Sequence, residues 1–239
     1  MADSLAHNLG QARFGLPLPR RSFLVGAAGG ALLLLPACQT MQGVSLTDAV
    51  RRLLLLSSER AFTRLVAPDG YWDQTVATLG LPTLLGARGN TVASILTSTL
   101  FKQRLEGAFA DIAIDGTARV APMVTEAVRT IGIENALALV NGGPTAASEF
   151  LRGAMGTRLV EAMVPELGQA FRVAQEPLVG QLLAGLTGVD VAGVANDLAT
   201  TIDNVIWQQI GIEEAAIRTN PRATNDSLLI GVFTAAAAL

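Results

Sequence analysis

The sequence predicts an all-α protein, an irregular multi-helix bundle behind a cleaved N-terminal signal segment, and three observations predict it. Half of the 239 residues are hydrophobic yet only 5% are aromatic, so Ala, Leu, Val and Ile must build the core, which favours closely packed helices over a sheet sandwich. Apolar residues recur at helical spacing along most of the chain, with no strand-like alternation of useful length. An apolar run headed by two arginines closes on the only cysteine, Cys38, which sets the residues before it apart as an address. The chain then divides into a signal segment at 1–37, a tether at 38–44 and a helical domain at 45–239. The 202 residues from Cys38 onward are enough to bury roughly 70–75% of the unfolded surface without disulfides or metal.

The leader comes first. Arg20-Arg21-Ser22-Phe23-Leu24 resembles a twin-arginine export signal, with Pro19 and Val25 departing from its usual flanks. The apolar stretch from Phe23 to Ala37 is short of the roughly 20 residues that a membrane-spanning helix needs, and Gly26, Gly29 and Gly30 weaken it further. Leu35-Pro36-Ala37-Cys38 is similar to a lipobox, the cleavage site of bacterial lipoproteins, with Pro36 its unusual member. Cleavage there would leave Cys38 carrying a diacylglycerol thioether and an amine-linked acyl chain. At about 0.8 kcal/mol per buried methylene, two or three chains make a nearly permanent membrane anchor. Gln39 in the next position resembles lipoproteins sorted to an outer membrane. The expected address is therefore the cell envelope, periplasm-facing and lipid-anchored, outer membrane ahead of inner.

In the domain, Ser45 followed by Asp48 opens a helix to about Val66. Leu53, Leu54, Leu56 and Leu65 do not fall on one clean stripe, so burial on more than one side is expected. Pro68-Asp69-Gly70 stops that helix. From Tyr71 to Asn90, Gly80, Pro82, Gly86 and Gly89 punctuate an apolar stretch that reads as an ordered crossing loop or a site. Tyr71 and Trp72 there either wall a ligand groove or plug one end of the bundle. A helix over 91–110 comes next. Asp111 and Asp115, one turn apart, either share a cation or belong to a solvated face. A further helix over 117–130 has Pro122 early in it, and Gly132 ends it before a short segment from Glu134 to Val140.

Asn141-Gly142-Gly143-Pro144 predicts a helix hairpin, with the glycines in the left-handed closing conformation and Pro144 in the first turn of the next helix. Ala146, Ala147, Phe150 and Leu151 form that helix's inner face. Glu149 with Arg152 and Arg158 with Glu161 read as surface ion pairs. The Gly-Gly pair lacks the Lys-Ser/Thr of a phosphate loop. Pro165 and Pro177 imply breaks near Val164 and Glu176, and Gly180, Gly185 and Gly188 loosen the stretch before Val189. Helical spacing returns over 189–210, with Trp207 near its end. Residues 212–218 add a turn or two that Asn220-Pro221 stops. Asn225-Asp226-Ser227 caps a last helix carrying Leu228, Leu229, Val232 and Phe233.

Composition excludes several function classes. Charged residues make up 15% of the chain, against about 25% in ordinary soluble domains. From Cys38 onward there are 14 basic and 19 acidic residues, with Lys102 the only lysine, so no electrostatic footprint for nucleic acid exists. The only histidine, His7, lies in the leader. The mature chain then has no His and no free Cys, which removes Ser-His-Asp and Cys-His nucleophile systems and the usual zinc sites. No cofactor is implied.

Four segments carry a family resemblance. They are Ser45-Leu46-Thr47-Asp48-Ala49; Asp69-Gly70-Tyr71 with Leu81-Pro82; Leu139-Val140-Asn141-Gly142-Gly143-Pro144-Thr145-Ala146-Ala147-Ser148-Glu149-Phe150; and Glu213-Glu214-Ala215-Ala216-Ile217-Arg218-Thr219-Asn220-Pro221 with Ser227-Leu228-Leu229 and Val232-Phe233. By these, the stretch from Val44 to Phe233 resembles the bacterial domain-of-unknown-function family 4197, a helical domain found behind signal peptides. Leu151-Arg152 stands where the family has an aromatic-arginine pair. The resemblance implies a fold class and an envelope address, with Asn141, Gly142, Gly143, Phe150, Glu213, Glu214 and Arg218 as its marked positions, and no reaction. Two functions are expected from all this. The first is a tethered, non-catalytic helical protein that binds an envelope partner or an apolar small molecule between its helices. The alternative is a hydrolase using carboxylates alone, drawn from Asp69, Asp73, Glu149, Glu213 and Glu214.

Overall fold

Eight α-helices, one 3-10 turn and no strand make up residues 45–68, 70–84, 99–173 and 191–236, the part of the chain that the computed structural model describes. The all-α expectation holds there, and all these residues belong to the unit Val44–Leu239. The leader with Cys38, Asp69, the stretch 85–98 and the breaks expected at Pro177, Gly180, Gly185 and Gly188 lie outside the described residues.

Helix α1 (Leu46–Leu65) starts where the Ser45 hydroxyl accepts the Asp48 amide at 3.1 Å, as its capping sequence predicts. Its buried side chains are Ala49 and Val50, Leu53 and Leu54, Ser57 and Ser58, Ala61 and Phe62, then Leu65, with Leu46, Leu55 and Leu56 partly buried beside them. They cover more than half of the helix's circumference, so burial on more than one side is as expected. Ser57 fits by donating to the Leu53 carbonyl at 2.7 Å, the back-bond that lets a hydroxyl be buried in a helix.

Helix α2 (Tyr71–Leu84) replaces the crossing loop expected over 71–84. Trp72 has no accessible surface; its Nε1 donates to Thr117 Oγ1 at 3.2 Å, and Thr117 donates to the Ala113 carbonyl at 2.7 Å. Tyr71 meets Trp72 edge-on, with centroids 5.9 Å apart. Of the two alternatives for this pair, Trp72 is the plug and not the wall of a groove, because a fully covered indole cannot line one. With Trp72 and Val76 anchored in the core, the backbone stays helical through Gly80 and Pro82.

Helix α3 (Thr99–Thr130) is continuous where two helices are expected, and Pro122 lies inside it, not near a start. The proline costs about 3 kcal/mol. Val120, Val124 and Val128 have no accessible surface, and each such burial is worth about 1.5–3 kcal/mol, so packing outweighs the lost backbone bond. Asp111 and Asp115 are both exposed on this helix, which is the solvated face. Among the described residues no group of three or more His, Cys, Asp or Glu comes together to hold a metal.

The predicted hairpin is present as α4 (Ala136–Val140), capped by Asn135 through the Ala138 amide at 3.1 Å, and α5 (Ala146–Met155). Its details differ from expectation. Among the described residues positive φ occurs only at Gly156 and Asn225, so Gly142 and Gly143 do not adopt the left-handed form. Pro144 precedes the N-cap Thr145 and lies outside the first turn. Gly142 is needed for space: a Cβ there would stand 2.6 Å from Ala146 Cβ and 2.9 Å from the Ala138 carbonyl oxygen. The buried face of α5 is Ala147, Ser148, Leu151 and Met155, with Ala146 and Phe150 only half-buried. Gly156, at φ 56°, ends α5 in a conformation that L side chains avoid.

Helix α6 (Arg158–Val173) runs through Pro165, which does not break it. Leu159, Met163, Leu167 and Phe171 form a buried stripe at i, i+4, and Phe171 packs on Phe109 of α3 with centroids 5.6 Å apart. Helix α7 (Val191–Thr219) unites two segments expected to be separate and packs on α6, α1, α5 and α3. Gly211 lies inside it, where a Cβ would come within 3.1 Å of Thr145 Cγ2. After the 3-10 turn Pro221–Thr224, α8 (Ser227–Ala236) is capped by Asp226, whose Oδ1 accepts the amides of Leu228 at 3.0 Å and Leu229 at 3.2 Å.

The expected surface ion pairs are replaced by other partners. Glu149 accepts from Thr145 and Glu161 from Thr157, each at 2.6 Å. Arg152 turns to α7. The clash at Gly142 gives a direct test. Gly142→Ala destabilises the protein by about 1–3 kcal/mol in urea unfolding. Gly143→Ala, where a Cβ meets nothing within 4 Å, changes stability by less than about 0.5 kcal/mol.

Candidate functional site

The two sequence segments that stand out most, around Asn141-Gly142-Gly143-Pro144 and around Glu213-Glu214, meet in space. Glu214 on α7 has no accessible surface. Its Oε1 accepts the Ala147 amide at 3.0 Å and Arg218 Nε at 2.8 Å; its Oε2 accepts the Ser148 amide at 2.7 Å and also the Ser148 hydroxyl. Ala147 and Ser148 are the second and third residues of α5, so Glu214 caps that helix from a neighbouring one. The local N-cap, Thr145, makes no such bond with its side chain. Negative charge at a helix N-terminus is favourable in itself.

Arg218, one turn further along α7, does the converse for α4. Its Nη1 donates to the Val140 carbonyl at 2.9 Å and its Nη2 to Leu139 at 2.8 Å, and its guanidinium lies 4.9 Å over the Phe233 ring of α8. These are the carbonyls that the end of a helix leaves unpaired. One ion pair on α7 therefore holds both sides of the hairpin. With every lone pair of Glu214 engaged, it has none with which to take a proton from a substrate. It acts as a clasp.

The other marked residues divide. Glu213 is almost fully buried and pairs with Arg64 of α1 at 2.6 Å. Glu149 is exposed, Asp73 half-buried, Asn141 an exposed C-cap and Phe150 half-buried on α5. Sequence reasoning missed Ser148 and Asp203; the signal available for the second was Asp203 and Trp207 at i, i+4 on an apolar helix. Asp203 is 6% exposed, accepts Trp207 Nε1 at 2.9 Å and receives Arg152 Nη2 at 3.1 Å. Burial pushes its carboxyl above the usual range, against the opposing pull of Trp207 and Arg152.

Beside the clasp, between α5 and α7, lies a groove of about 370 Å³. Ser148, Glu149 and Arg152 line it from one side, and Asn204, Gln208 and Ile212 from the other. Gly211 on its floor is a point of close approach between the helices. The groove is thus built on two helices that the clasp joins, and it is open, with polar groups among apolar ones.

A family model described as Protein of unknown function (DUF4197) matches residues 40–234. No curated protein and no solved structure matches the chain.

Removing one partner of a buried pair strands the other. Glu214→Gln is therefore expected to cost about 3–5 kcal/mol in chemical denaturation. Adding Arg218→Met costs less than the sum of the two single changes. Acid gives a second test. Burial pushes the Asp226 carboxyl up, but the amides of Leu229 and Leu228 and the Arg52 guanidinium outweigh it and hold it below the usual range. Its stabilisation is complete above the unfolded value and is lost as pH falls through the folded value. Asp203, raised by burial, has the opposite sign: its effect on stability worsens as pH rises from the unfolded value to the folded one. Melting curves from about pH 2.5 upward should show a shallower acid loss in Asp226→Asn. In Asp203→Asn they should show no decline on the alkaline side of about pH 4.

Proposed function

The chain belongs to the DUF4197 family, and we propose that its mature part is a non-catalytic helical binding domain held at the cell envelope by lipid on Cys38. The observation that carries the binding half is the groove between α5 and α7, an open, mixed-polarity cavity of about 370 Å³ on helices fixed by the Glu214–Arg218 clasp. The anchoring half rests on the sequence: paired Arg20 and Arg21, the apolar run through Phe23 and Leu24, and Leu35-Pro36-Ala37 before the single cysteine. The family match begins at residue 40, which supports treating the leader as a removable segment. Among the described residues no helix is long and apolar enough to cross a membrane.

The partner is then an envelope protein or a small molecule entering between the helices, not nucleic acid. A hydrolase working through carboxylates has less to build on, since Glu213 and Glu214 are each committed to an arginine.

Labelled palmitate added to cells should enter the wild-type protein and not Cys38→Ala, which should also leave the membrane fraction or retain its leader. Equal labelling of both would refute the anchor. Native mass spectrometry of protein taken from cell envelopes should find a bound small molecule or a co-purifying protein, lost when Gln208→Trp, at an exposed lining position, fills the groove. Repeated recovery of bare protein would refute the binding role.

A further inference from the structure

We infer that the end of the bundle around Leu137 is the domain's own contact with the membrane, seated among the lipid headgroups beside the acylated Cys38. The inference rests on the anchor at Cys38 and adds the face that the domain turns to the lipid. Among the described residues only Leu137 and Ile212 are large hydrophobics left well exposed, at 58% and 45%. Ile212 stands at the groove between α5 and α7. Leu137 stands elsewhere, on α4, with Ala138 exposed beside it. From Ile131 to Val140 the only charged residue is Glu134. Ile131, Ile133, Ala136 and Leu139 are half-buried and Val140 is buried. A surface helix ordinarily turns polar side chains outward, whereas α4 turns out a leucine and an alanine.

A lone exposed leucine means little; the weight of this one comes from its place. Arg51, near the start of α1, donates to the Val128 and Ile131 carbonyls at the end of α3. Arg52 bonds Asp226 at the start of α8, and α4 packs on both α1 and α8. Leu137 therefore belongs to the end of the bundle at which α1 begins. Cys38 precedes Ser45 by seven residues, which an extended chain spans in at most about 25 Å. Helix α1 has 20 residues and is about 30 Å long. The leash is shorter than the helix, and the end with Leu137 is the one it keeps at the bilayer.

The chemistry of this end suits a lipid surface. Arg52, Arg129 and Arg222 are exposed around it, and arginine lays an apolar stem on acyl chains while its guanidinium meets phosphate. Asp48, Glu126 and Glu134 are exposed there as well. With three charges of each sign the contact needs no anionic lipid, and the insertion falls to Leu137. One leucine would not bring a free protein to a membrane. On a chain already tethered, the encounter is intramolecular, and the high effective concentration populates even a weak contact.

The test uses the full chain, purified from membranes and reconstituted in phosphatidylcholine vesicles. Cys38 is the only cysteine and its sulfur is held in the thioether, so Ala138→Cys or Thr63→Cys supplies the one thiol that an environment-sensitive NBD dye can label. Thr63 is exposed in the last turn of α1. The dye at 138 should emit at shorter wavelength and be quenched severalfold by lipids carrying a nitroxide high on the acyl chain, as a depth of about 5–10 Å requires; the dye at 63 should not. Leu137→Glu, and the milder Leu137→Ser, should return the dye at 138 to the behaviour of the dye at 63 while the protein stays on the vesicles. Equal emission and quenching at 138 and 63 on vesicle-bound protein would overturn the face and leave the anchor standing. A dye at 138 that is shielded but not quenched by nitroxide lipid would overturn it in favour of a second copy or another protein on the patch. Quenching that survives both Leu137 substitutions would overturn the role given to that side chain. Labelling of the unsubstituted chain would reveal a bare Cys38 and overturn the anchor, and the inference with it.

Discussion

Glu214 is a carboxylate taken wholly out of water where the hairpin docks on α7, and the arrangement of the surrounding helices comes from satisfying it. Desolvating such a charge costs several kcal/mol. Only a partner with several donors at fixed positions offsets that, and the start of α5 supplies two amides and a hydroxyl while Arg218 supplies the opposite charge. Those donors exist in the right place only if α4 and α5 form a hairpin against the C-terminal half of α7. The network is therefore both a consequence of the fold and a selector for it, because any other docking of the hairpin leaves a buried charge unpaired.

Caps supplied by distant residues recur across the molecule. Arg51 of α1 donates to the Val128 and Ile131 carbonyls at the end of α3, at 3.2 and 3.4 Å. Arg52 of the same helix bonds Asp226, the cap of α8. Arg152 is of another kind: its acceptors, Asp203 and Asn204, sit mid-helix on α7, so it joins two helices side by side and ties off no helix end.

The prolines and glycines show where reading the chain stops. Pro122, Pro165 and Gly211 are helix breakers by local preference, and all three lie inside continuous helices. Local cost and long-range burial compete, and only the second depends on neighbours absent from the local sequence. Val120 and Val124 flank one proline, Met163 and Leu167 the other, and Gly211 is tolerated because Thr145 crosses there. Where a stop signal met no such opposition, as at Asn220-Pro221, it was obeyed.

From the residues alone came the helical class, the caps at Ser45 and Asp226, the hairpin at Asn141-Gly142-Gly143-Pro144, and the absence of histidine after the leader. The class, the caps and the count are fixed by local preference or by composition; the hairpin was read correctly in place but not in cause, since Gly142 serves close packing and neither glycine takes the left-handed form. The same residues marked Glu213, Glu214 and Arg218 without saying what they do, and left Trp72 open between wall and plug. Only the tertiary structure decided those: whether a charge is a reactive group or a helix cap depends on which donors surround it, and these come from segments 66 to 79 positions away along the chain.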